Sequence, residues 1–137
     1  VADNDEGVGI LLAGLSRTPY WEKTVVIVLE DDPQGCDDHV ETHRSFLMVA
    51  SPWARREYVS HVNATFDAVF ATIFRILDVP PMGRHDASAV PLWDMFTGTP
   101  DYTPYDLIPR NVPEEKILDP NTPPFNLLTQ PVKDAKE

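Results

Sequence analysis

The residues best suited to chemistry fall in one short stretch. Glu30, Asp31 and Asp32 follow one another, and Asp37, Asp38, His39, Glu41 and His43 come soon after. Like charges this close in sequence repel one another, and a divalent cation is the simplest agent that makes their convergence favourable. Successive residues in extended backbone point to opposite faces. Asp31 and Asp32 can therefore serve two metals, or one metal and one supporting partner. His39 and His43 stand four apart and share a face if Asp38–Arg44 forms a helical turn. Mixed carboxylate and imidazole donors suit Zn²⁺ or Mn²⁺, with Ca²⁺ or Mg²⁺ less favoured where imidazole binds directly.

Each signal has a plainer reading when taken alone. An Asp-Asp pair after a strand is often a capped turn, and a lone His is usually solvated. The HxxxH spacing lacks the HExxH glutamate of the zinc proteases. Only the concentration of Asp31, Asp32, His39 and His43 on one unit argues for a metal. Asp37 and Glu41 read as solvated, Arg44 as an ion-pair partner, and His61 and His85 as structural or solvated. Cys36, the single cysteine, cannot form an intrachain disulfide. The acids around it disfavour a thiolate, so it reads as a bystander.

The element that must position this stretch is the β-branched run Val25-Val26-Ile27-Val28-Leu29, a strand over Thr24–Glu30. A second apolar run, FLMVA, predicts a strand over Phe46–Ala50. Neither alternates, which predicts strands of a parallel sheet covered on both faces. Pro33-Gln34-Gly35 forces a turn directly after the acids. Helices flank the pair. Val8, Leu11, Leu12 and Leu15 fall at helical spacing over Asp3–Leu15. Phe66, Val69, Phe70, Ile73, Phe74 and Leu77 form an apolar stripe over Asn63–Asp78, with Asn63 or Thr65 as cap and Pro80-Pro81 as stop. The stripe predicts core packing. Asp86–Thr97 predicts a short helix around Leu92, Trp93 and Phe96, and Tyr20-Trp21 is expected to pack over the sheet edge.

Eight of the 14 prolines lie between Pro100 and Pro131, where neither helix nor central strand can run. Apolar residues from Tyr102 to Leu128 favour a docked tail over free disorder. The division expected is a domain over 1–98 and a Pro-rich tail over 99–137, lying on the domain or on a partner. The 137 residues suffice for one core, and the net charge of −11 argues against nucleic acid or an anionic membrane as partner. No apolar run approaches the roughly 20 residues that span a bilayer. Val1–Asp5 lacks the features of a signal peptide. The start reads as mid-chain sequence, so a piece of a longer protein is expected.

In order along the chain, ADNDEGVG opening a helix, PYWEKTVVIVLEDD, GCDDHVETHRS, FLMVASPW and ILDVPPM resemble the C-terminal part of bacterial phosphoesterases of the alkaline-phosphatase superfamily, in the branch of acid phosphatases and phospholipase-C-type enzymes. The likeness runs from Ala2 to about Met82 and more loosely through Trp93, about two-thirds of the chain. It implies an α/β fold, part of a three-layer α/β/α sandwich, and metal-dependent hydrolysis of a phosphate ester in a secreted or periplasmic setting. Asp31 and Asp32 match the metal-binding acidic pair, and His43 matches a later metal-binding histidine. His39 lies in the same motif. Substrates implied are small phosphate esters or a phospholipid headgroup, with Zn²⁺ first among the metals and Mn²⁺ or Ca²⁺ after it. The family's Ser or Thr nucleophile lies well upstream, and Ser45, Ser51 and Ser60 occupy no matching motif. An N-terminal segment or second chain is therefore expected to complete the fold. The alternative from another class is a non-catalytic, acidic cation-binding or interaction module.

Overall fold

The computed structural model describes residues 2–30 and 45–111. Helix α1 spans Ala2–Leu15. It closes with the Ser16 N–H donating to the Leu12 carbonyl at 2.9 Å. The Arg17 guanidinium donates to the Ala13 carbonyl at 2.6 Å, so a cation satisfies an acceptor the helix end would leave open. A single 3₁₀ turn, Trp21–Lys23, leads into the first strand.

Strands β1, Val26–Leu29, and β2, Leu47–Ala50, pair with each other. The pairing is antiparallel, with Val26 opposite Ala50 and Leu29 opposite Leu47. The parallel arrangement expected from the unbroken apolar runs does not hold for this pair. Lack of alternation reports apolar character on both faces and carries no information about strand direction. The connection over residues 30–46 is long enough for either direction, so neither the apolar runs nor its length decides between them. All four β1 residues are half-buried and Met48 of β2 is exposed, so the described residues cover the sheet only in part.

Beyond β2 the chain folds back on itself. Ser51 is fully buried, donates its hydroxyl proton to the Thr24 carbonyl at 2.8 Å and accepts the Trp53 N–H at 3.2 Å. Ala54 bridges Phe96, and the Arg55 N–H donates to the Met95 carbonyl at 2.9 Å. These bonds set residues 53–55 against 95–97.

Helix α2 spans Phe66–Leu77. Of the two expected caps it uses Thr65, whose hydroxyl accepts the Ala68 N–H at 3.2 Å. It ends at Asp78, in the left-handed region with φ 54°. Its buried residues are Ala68, Val69, Ala71 and Thr72. The aromatic stripe expected to be core is largely open: Phe66 and Phe70 are each 48% exposed and Leu77 64%. Phe70 stacks on Phe74 with ring centroids 6.2 Å apart. Periodicity located the apolar face correctly, but among the described residues no neighbour covers all of it. The small core consists of Ala68, Val69 and Leu92, with Ile27, Leu47, Ile73, Met95 and Phe96 packed around it.

Helix α3, Arg84–Ser88, is capped by Asp86, which accepts the N–H groups of Met82 at 2.7 Å and Gly83 at 2.8 Å. The helix expected over Asp86–Thr97 is thus divided. Pro91 separates α3 from a 3₁₀ turn at Trp93–Met95.

The last described stretch, residues 99–111, is tied to α1 and to the turn after β2. Asp106 pairs with Arg17, Arg110 with Glu6 at 3.2 Å, and Asp101 with Arg56 at 2.9 Å. The Tyr105 N–H donates to the Ser16 hydroxyl at 3.0 Å. Its ring meets the buried Trp21 edge-on at 5.9 Å. Among the described residues no helix is long and apolar enough to cross a membrane.

Candidate functional site

Asp31, Asp32, His39 and His43 lie outside the described residues. The structure does give the frame from which they hang. Leu29 faces Leu47 at the last pair of the β1–β2 hairpin. Just beyond it, the Ser45 hydroxyl donates to the Glu30 carbonyl at 3.4 Å. Glu30 immediately precedes the acidic pair, and Ser45 is two residues after His43. One end of one hairpin therefore holds both roots of the stretch. Among the described residues no three His, Cys, Asp or Glu side chains converge to hold a metal. His61 and His85 are both exposed.

The serines also have their places. Ser51 is buried and spent on backbone bonds. Ser60 donates its hydroxyl proton to Asp94, which also accepts from the Tyr58 hydroxyl at 3.1 Å. A Ser beside a carboxylate invites a nucleophile reading. The electrostatics oppose it. The Ser60 hydrogen bond, helped by Tyr58, holds the Asp94 carboxyl below its ordinary range, which makes it a weaker base. Partial burial, reinforced by the Asp94 carboxylate, pushes the Tyr58 phenol up. The three groups form a staple between the chain after β2 and the Trp93–Met95 turn.

No family model, no curated protein and no solved structure matches this chain.

One constellation escaped the sequence reading. Arg55, Arg56, Tyr58 and Tyr105 gather beside β2 around a cleft of about 400 Å³. The Arg55 guanidinium lies 5.2 Å from the Tyr58 ring centre, and Arg56 lies 4.5 Å from that of Tyr105. Arg56 also donates to the Thr103 carbonyl. Asp101 is held below its ordinary range, first by Thr103 and with help from Arg56. The available signal was an Arg-Arg pair beside aromatics in a chain of net charge −11.

Proposed function

We propose that this chain supplies one wall of a metal-dependent phosphate-ester hydrolase, within a three-layer α/β/α sandwich completed by further sequence or a second chain. Asp31, Asp32 and His43 hold the metal, and His39 lies in or beside the same set. A divalent ion there lowers the pKa of a bound nucleophile and stabilises charge on phosphoryl oxygens. The observation that carries this reading is the hairpin end. Leu29 opposite Leu47, and Ser45 bonded to Glu30, root both ends of a carboxylate- and imidazole-rich stretch at one place. A site whose ligands come from the two ends of one loop needs such an anchor.

Two further observations support a completing segment. Among the described residues nothing fully covers the apolar face of α2 at Phe66, Phe70 and Leu77, and the sheet is only half-covered. Ser51 and Ser60 are engaged in structural bonds, in keeping with a nucleophile supplied from elsewhere. Hydrolysis of a chromogenic phosphate ester by the completed assembly, with and without Zn²⁺, tests the proposal. Metal-dependent turnover lost in Asp31→Ala supports it, and metal binding without turnover favours the cation-binding module instead.

A further inference from the structure

The cleft beside β2 has the composition of a ligand site. Leu47, Met48 and Met95 give it apolar, polarisable walls, and Tyr58 and Tyr105 add aromatic faces. Its volume of about 400 Å³ is within the range of small-molecule pockets. Two guanidinium groups reach it in a chain whose net charge is −11.

The two arginines are not equivalent. Arg56 is committed within the chain, to Asp101, the Thr103 carbonyl and the Tyr105 ring. Arg55 donates only its Nε–H, to the Phe96 carbonyl at 3.1 Å, and rests its guanidinium over Tyr58. Among the described residues nothing accepts from its two terminal nitrogens. A guanidinium fixed at Nε and stacked on a ring, with its terminal nitrogens open, is pre-organised to meet an oxyanion. Glu57, on the same rim, sits in the left-handed region at φ 53°. A non-glycine residue there carries backbone strain, which tends to collect at binding sites. Its carboxylate also opposes an anion in the cleft, so it weakens binding without setting the ligand's charge.

We infer that this cleft binds a small aromatic oxyanion, with the anionic group on the terminal nitrogens of Arg55 and the ring between Met48 and Met95. The inference stands apart from the hydrolase proposal, since it requires neither a metal nor further sequence, and its test reads binding rather than turnover.

The test is titration of the full chain with phenylphosphonate, followed by calorimetry and by methionine methyl resonances, with inorganic phosphate and benzyl alcohol as comparisons. Saturable binding that moves the Met48 and Met95 methyls is expected, with both comparison compounds binding more weakly. Arg55→Lys keeps the charge but loses the fork, and weakens binding about tenfold or more. Glu57→Gln removes the opposing charge and tightens binding several-fold, a gain that misfolding cannot produce. Three results overturn the inference: no saturable change up to about 10 mM ligand, equal affinity in Arg55→Lys with its circular dichroism unchanged, or inorganic phosphate binding as tightly as phenylphosphonate.

Discussion

Leu29 and Leu47 face each other at the last rung of the antiparallel hairpin. That pairing brings Glu30 and Phe46, the neighbours of the two leucines, to the same end of the sheet. The acidic pair begins two residues after Leu29, and His43 ends four residues before Leu47. A Pro at Phe46 tests the anchor. Pro lacks the N–H and disfavours an α conformation at Ser45, and it disturbs the Ser45–Glu30 contact. Phe46→Pro is expected to weaken Zn²⁺ binding while leaving far-UV circular dichroism close to wild type. Unchanged affinity would show that the hairpin end does not shape the site.

Thr72 is fully buried and makes two bonds, donating to the Ala68 carbonyl at 2.7 Å and accepting the Leu92 N–H at 2.9 Å. Thr72→Val keeps the shape and strands the Leu92 N–H. The expected cost is about 1–3 kcal/mol, read by urea denaturation. Thr72→Ser retains both bonds and is expected to lose less.

The Asp94 carboxyl is held low by Ser60 and Tyr58. Its folded pKa lies below its unfolded value, so the stabilisation is present above the unfolded pKa. It disappears as pH falls through the folded one. Stability of the wild type is expected to drop on acidification below about pH 4. Asp94→Asn is expected to be less stable at neutral pH and to show a shallower acid loss. Parallel pH profiles for the two proteins would contradict this.

Tyr105 ties residues 99–111 to the body through Trp21, Arg56 and Ser16. Tyr105→Ala removes the ring contacts, and limited proteolysis is expected to cut this stretch faster than in wild type. The ion pair of Arg17 with Asp106 is exposed. Such pairs contribute about 0–1 kcal/mol, so Asp106→Asn is expected to change the cleavage rate little.

Much of the framework was legible in the sequence. The apolar runs at Val26–Leu29 and Leu47–Ala50 form strands, and the periodic stretches form α1 and α2. Local pattern suffices there because side-chain period follows backbone geometry. Strand direction was not legible, since pairing depends on the path of the connection. The open face of α2 was not legible either. Phe66, Phe70 and Leu77 announce an apolar face, but pattern alone cannot say what covers it. The Arg55 cleft is built from four separated segments, and no local window joins Met48, Arg55, Met95 and Tyr105. The metal-site residues were read from type and spacing, and they lie outside the described residues.

Under the proposed function Asp31, Asp32 and His43 hold a divalent metal. Calorimetric titration of the chain with Zn²⁺ is the decisive measurement, comparing wild type with Asp31→Ala and His43→Ala, and with His61→Ala as the control. The expected result is saturable binding in wild type and His61→Ala, weakened by about tenfold or more in the other two. Affinity unchanged in both Asp31→Ala and His43→Ala would contradict the claim.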